Sequence, residues 1–190
     1  MDVQNAIAAR RAYRSLAPVE VTDELVRDLA RHAGLAPSCS NNQPWRFVFV
    51  RDPAALYALH EALTLGNAWM KAASALIVVC GRIADDCVIK DREYVLFDLG
   101  MGSAFLILRA TELGLVAHPV AGFSPQKTRQ ALGIPEDYRV MTVIALGRKA
   151  ATLNPVLSPR QIHEESERPA RLGFERFVFI DRFPAAGERP

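Results

Sequence analysis

Three guanidinium groups fall within five residues at Arg10-Arg11-Ala12-Tyr13-Arg14, where the first helical pattern ends. Cations this close suit a dianionic phosphate, with a further fork available for another polar atom of the same ligand. A solvated basic end complementing a helix C-terminus is the competing reading. A second cluster, Pro37-Ser38-Cys39-Ser40-Asn41-Asn42-Gln43-Pro44-Trp45, concentrates amide and hydroxyl side chains between two prolines and runs straight into a strand. Such a loop suits recognition of a planar, hydrogen-bonding heterocycle, although an ordinary surface loop can have the same composition. Phosphate-loop, zinc-pair and nucleophile-elbow signatures are absent from the sequence. Gly100-Met101-Gly102 resembles the start of a dinucleotide fingerprint but has Phe105 where the third glycine belongs. His32, His60, His118 and His163 are scattered without ligand spacing, which favours structural or solvent-facing roles.

The elements that must position these clusters follow from periodicity. Thr22 can cap a helix with Asp23 and Glu24 in its first turn and Leu25, Leu29, Ala33 and Ala36 on one face, stopped before Pro37. Residues 2–11 and 54–64 read as helices, and Ser124-Pro125 opens another that runs to about Leu132 before Gly133. The stretch from Val95 to Leu108 is apolar nearly all round and too short to span a bilayer, so it reads as a helix of the core or of a subunit interface. Arg46–Val50, Ala75–Cys80, Arg139–Leu146 and Phe177–Ile180 suit strands. Between Gly147 and Arg176 the chain is polar, with Pro155, Pro159 and Pro169, and reads as an extended arm. Helices and strands intermix around one core, as in an α+β or mixed α/β domain.

Half of the 190 residues are hydrophobic, enough for one packed domain and too many for a disordered chain. With 23 basic and 21 acidic side chains, the net charge of +2 gives no basis for a nucleic-acid or membrane-surface partner. Arg outnumbers Lys 19 to 4, for which genomic base composition is a sufficient cause. Cys39, Cys80 and Cys87 form no C-x-x-C pair, and their odd number argues against a disulfide framework; a reducing, cytoplasmic compartment is expected. The first residues show no charged leader followed by an apolar core.

Taken in order, Arg10–Arg14, Ala36–Trp45, Glu112-Leu113-Gly114-Leu115 and Pro119-Val120-Ala121-Gly122-Phe123 resemble the FMN-dependent nitroreductase family, strongly over residues 3–147 and weakly in the tail. The resemblance implies an α+β three-layer sandwich, with a mostly antiparallel central sheet flanked by helices, in an intertwined homodimer with two interface FMN sites. It implies a cofactor domain over residues 1–150 and an arm over 151–190 that wraps the partner and adds Phe177–Ile180 to its sheet. Arg10 and Arg11, with Ala12 between them and Arg14, match the positions near the FMN phosphate and ribityl chain, and Arg14 the one reaching the pyrimidine edge. Pro37, Ser38, Cys39 and Asn41, with Gln43, match the loop that packs on the flavin from the other subunit. Pro119, Val120, Ala121 and Gly122 match the segment over the isoalloxazine, whose backbone N–H groups at Ala121 and Gly122 can face its central redox nitrogen. Asn67 and Lys71 resemble the family's residues near the pyrimidine at a spacing one residue longer, and Arg168 and Arg171 are counterparts of a late basic pair that closes on the phosphate. Ala12 stands where many members carry Ser, and Cys39 replaces a common Ser.

The implied activity is an FMN oxidoreductase taking electrons from NADH or NADPH and passing them to a nitroaromatic, quinone or similar small acceptor by a ping-pong cycle. In that arrangement the flavin carries the redox chemistry, no side chain is a dedicated catalyst and no metal is needed. A flavin-binding sensor or carrier without efficient turnover is the alternative, favoured by Ala12 and by the short connection between Gly81 and Arg92.

Overall fold

Alternation along two strands sets the layering of the chain. In β3 (Ala75–Arg82), Leu76, Val78 and Cys80 enter one hydrophobic cluster and Ala75, Ile77 and Val79 the other, as a pleated strand covered on both faces requires. In β7 (Tyr138–Lys149), Val143 and Ala145 oppose Ile144 and Leu146 in the same way. A computed structural model, which describes residues 1–184, joins these two strands to β1 (Leu16–Ala17), β2 (Arg46–Val50) and β6 (Val116–Val120) in one antiparallel sheet. The order is β1-β7-β3-β2, with β6 also paired to β7. Phe47 lies opposite Val79, Val78 opposite Val143, and Pro119 opposite Ile144.

Two helices, α2 (Asp23–Ala33) and α4 (Val95–Glu112), cover one face, burying Leu29, Ala33, Val95, Leu99 and Leu106. The other face is covered by α3 (Pro53–His60), a 3-10 segment over Leu65–Ala72, and α5 (Pro125–Leu132), with Leu59, Trp69 and Met70 buried beneath. The result is the expected three-layer α+β arrangement. Thr22 caps α2, Ser124 caps α5, and Gly133 ends α5 in the left-handed conformation that favours glycine. Helix α1 (Val3–Ala9) packs on α4 and is shorter than the expected 2–11.

Three expectations require correction. The stretch read as an extended arm contains α6 (Pro159–Ser166), closed by a capping box between Ser158 and Gln161, and it buries Leu157 and Glu165. Phe177–Ile180 follows a 3-10 turn at Phe174–Arg176 and, among the described residues, pairs with no strand, so the expected strand does not form within one chain. Cys39 and Cys87 are joined in a disulfide, leaving Cys80 as the free, buried thiol: an odd count permits one pair, and pairing depends on spatial proximity. The end of the 151–190 arm, residues 185–190, lies outside the described residues. A small hairpin, β4 (Val88–Ile89) with β5 (Arg92–Glu93), occupies the connection after β3. Among the described residues no helix is long and apolar enough to cross a membrane.

Candidate functional site

Residues 10–15 leave α1 without regular structure, so distant groups must fix their course. Arg168 donates to the carbonyls of Ala8 at 2.6 Å and Arg10 at 3.1 Å, so Arg168, from the other end of the chain, completes the C-terminus of α1. Arg11 donates to the Glu164 carbonyl at 3.0 Å, and its guanidinium lies over the Tyr13 ring at 4.8 Å. Arg14 pairs with the Glu164 carboxylate at 2.8 Å. Hydrogen bonding from Arg160, with Arg14 adding to it, holds the Glu164 carboxyl below the usual carboxylate range. A cavity of about 110 Å³ remains, lined by Arg10, Arg11, Ala12, Arg14, Glu164, Arg168, Pro169 and Arg171.

Arg10 is the unsatisfied member of this group. Among the described residues its guanidinium has neither a hydrogen bond nor an ion pair. Burial, followed by the charges of Arg168, Arg171 and Arg11, pushes its pKa below the ordinary arginine value. Arginines crowded around a cavity with one lining carboxylate form a site short of negative charge. A phosphate dianion fits that deficit.

A continuous set of contacts runs from this cradle to the segment after β6. Buried His118 is hydrogen-bonded through Nδ1 to the Tyr13 carbonyl at 3.0 Å and lies 4.7 Å, ring to ring, from Trp69. Burial pushes the His118 pKa down to about 4, against the opposing effect of that hydrogen bond, so the imidazole is neutral at pH 7. Trp69 donates to Asn67 Oδ1 at 3.3 Å, and Asn67 Nδ2 donates to the Gly122 carbonyl at 2.9 Å. Thr64 donates to the same carbonyl through its hydroxyl at 3.0 Å and its N–H at 3.1 Å. A Cβ at position 122 would approach Asn67 Nδ2 to 2.5 Å and Thr64 Oγ1 to 2.8 Å, so a larger residue there would have to displace the two side chains that bond its carbonyl. The Ala121 and Gly122 N–H groups have no acceptor among the described residues, and remain available to a ligand.

The amide-rich loop lies at the other side of the fold, against the start of α4. Ser40, Asn41 and Gln43 hold φ of 50°, 57° and 51°, the left-handed region in which side chains are strained. Ser38 Oγ accepts the Gln43 N–H at 3.0 Å, Gln43 Nε2 donates to the Asn41 carbonyl at 3.3 Å, and the Cys39 N–H donates to Asp98 at 2.7 Å. Asp98 is buried, and burial, reinforced by Asp86, raises its pKa against that hydrogen bond. The disulfide to Cys87 ties the loop to the segment before the small hairpin.

Within one chain, therefore, Arg10, Arg11, Ala12, Arg14, Arg168 and Arg171 share one cavity, and Asn67 and Gly122 join it through Trp69 and His118. Pro119 is exposed and Val120 buried in β6. Lys71 is exposed and lines a different pocket, with His60 and Glu61. Pro37, Ser38, Cys39, Asn41 and Gln43 make no hydrogen bond or ion pair with the cradle among the described residues. Sequence reading missed Glu164 and Glu165; the capping-box pattern Ser158-Pro159-Arg160-Gln161 was the available signal for the helix that carries them.

A family-wide sequence profile described as Nitroreductase family matches residues 7–65 and 61–148. An NADH dehydrogenase of Thermus thermophilus is 29% identical over 215 aligned positions, covering 94% of this chain and 95% of that protein. Among solved structures, an oxidoreductase containing FMN superposes with a TM-score of 0.82 at 27% identity, covering 97% of this chain and 94% of the other. A nitroreductase family protein of Clostridium difficile 630 has the same fold, with a TM-score of 0.77 at 22% identity over 96% of this chain and all of the other. The profile takes in the arginine segment, the amide-rich loop and the Pro119–Gly122 stretch, so the chain belongs to the nitroreductase family of oxidoreductases.

Proposed function

We propose that the chain holds FMN and transfers electrons from NADH or NADPH to a nitroaromatic, quinone or similar small acceptor, donor and acceptor taking turns at one open face in a ping-pong cycle. The observation that carries this reading is Arg10, a partly buried cation without a partner among the described residues, lining a cavity with four further arginines. When bound, the flavin supplies the two-electron chemistry that no side-chain constellation here provides. Arg10 and Arg11, with Arg168 and Arg171, would hold the phosphate, and the Ala121 and Gly122 N–H groups are available to the ring. Thr64 and Asn67 fix Gly122 for that task by filling the bonding capacity of its carbonyl. Arg14, tethered by Glu164, is a cation that can be oriented toward developing negative charge in a partly dry site.

The Pro37–Gln43 loop belongs, in this reading, to the site of the partner in a homodimer. Two exposed apolar surfaces support that assembly: Leu96, Phe97 and Phe105 on α4, and Leu172, Phe177 and Ile180 in the tail. The test is the visible spectrum of the purified protein, taken anaerobically before and after addition of NADH and of NADPH. A yellow protein bleached by either donor is expected. Colourless protein that takes up no added FMN would overturn the reading, and colour that persists with both donors would favour a flavin carrier without turnover.

A further inference from the structure

Glu165, next in sequence to the cavity-lining Glu164, is buried against the arginine segment, yet its carboxylate bonds to no guanidinium among the described residues. Its partners are two backbone N–H groups, those of Arg14 at 2.5 Å and Ser15 at 3.1 Å. A buried carboxylate next to an anion site repels the ligand, so its presence there calls for a compensating role. The irregular course of residues 10–15 supplies one. Arg168 holds the Arg10 carbonyl, His118 the Tyr13 carbonyl, and the Ala150 N–H the Ser15 carbonyl, while Asn154 donates to Ser15 Oγ. Glu165 supplies the acceptors for the remaining Arg14 and Ser15 donors, as charge-assisted bonds from a second element.

That element is itself anchored at both ends of the site. The capping box fixes the start of α6, and Gln161 Nε2 donates at 2.9 Å to the Gly66 carbonyl, beside Asn67. One short helix therefore touches both the arginine segment and the segment that holds Gly122. We propose that Glu165 is a positioning residue of the phosphate cradle: without touching ligand, it locks the Arg14–Ser15 backbone so that Arg10, Arg11 and Arg14 line one cavity. The inference rests on the FMN reading above.

FMN and riboflavin differ by the phosphate alone, and their affinities for the full chain stripped of flavin separate the two ideas. Wild type should prefer FMN. Glu165→Ala should reduce that preference tenfold or more, beyond any loss the two flavins share through Arg14, and Glu165→Gln, which keeps an acceptor oxygen without the charge, should fall between. A merely structural role would lower the melting temperature and weaken both flavins alike, leaving the ratio at the wild-type value; that result overturns the inference. Should the alanine variant fail to fold, the near-isosteric glutamine variant decides on the same ratio. Wild type that holds FMN no better than riboflavin would overturn the phosphate reading itself, a failure distinguishable from that of Glu165.

Discussion

The arginine segment and the amide-rich loop look equally suited to a ligand in the sequence, but the fold treats them in opposite ways. In the loop, Ser38, Cys39 and Gln43 bond to one another's neighbourhood or to Asp98, and a disulfide clamps the backbone through three left-handed residues. In the cradle and the segment after β6 linked to it, the Arg10 guanidinium and the N–H groups of Ala121 and Gly122 are left without partners among the described residues. A count of donors and acceptors therefore says little about a binding site. The donors that matter are those the fold orients and leaves unpaired.

The largest test of this contrast concerns the covalent tie. The Cys39–Cys87 bond closes a separation of 48 residues, for which chain entropy gives roughly 4 kcal/mol. Cys87→Ser should lower the melting temperature by about 8–16 °C in a chain of this size, and dithiothreitol should do the same to wild type. Hydrogen exchange should accelerate in residues 37–43 and stay unchanged in residues 10–15. A melting temperature indifferent to both changes would show that the loop is held by its hydrogen bonds alone.

Acid and base should also distinguish the two regions, with opposite signs. His118, behind the cradle, has its pKa lowered from 6.5 to about 4, so the unfolded chain takes up a proton first as pH falls. Its contribution is intact above pH 6.5 and is lost as pH falls toward 4, by about 3 kcal/mol at the lower limit. Asp98, beneath the loop, has its pKa raised, so its contribution is greatest below the unfolded carboxylate value and declines as pH rises through the folded one. Urea unfolding across this range should show His118→Gln with a shallower acid loss than wild type, and Asp98→Asn without the decline on the alkaline side. Parallel curves for His118→Gln and wild type would remove the imidazole as the cause.

Much of this contrast was hidden from the sequence for identifiable reasons. The strands β2, β3 and β7 and the helices α2, α4 and α5 were legible because their caps, their alternation and their apolar runs are local signals. The ladder of β6 was obscured by Pro119, a residue that argues against a strand unless it sits at an edge; among the described residues β6 pairs with β7 alone. Helix α6 was obscured by its polar composition and three nearby prolines, although Pro159 stands at the first helical position where proline is tolerated. The arginine cluster was visible as such, and Arg168 and Arg171 entered through family resemblance. Which arginine would remain unpaired was not readable, because Glu164 and the Ala8 and Arg10 carbonyls reach their partners across more than 150 residues.

That distinction between paired and unpaired arginines yields the smallest effect and the sharpest separation. Arg10 has no protein partner among the described residues to lose, so Arg10→Ala should weaken FMN retention by about 1.5–3 kcal/mol, the range for a charged hydrogen bond, while leaving the melting temperature of the flavin-free protein within about 2 °C. Arg168 lines the same cavity but also bonds the carbonyls of Ala8 and Arg10. Its removal strips the end of α1 as well as the ligand, so Arg168→Ala should lower both affinity and flavin-free stability. Calorimetric titration with FMN, paired with melts of the flavin-free variants, reads both quantities. Equal losses of stability in the two variants would mean that Arg10 also serves the fold, and an unaltered FMN affinity in Arg10→Ala would remove it from the site.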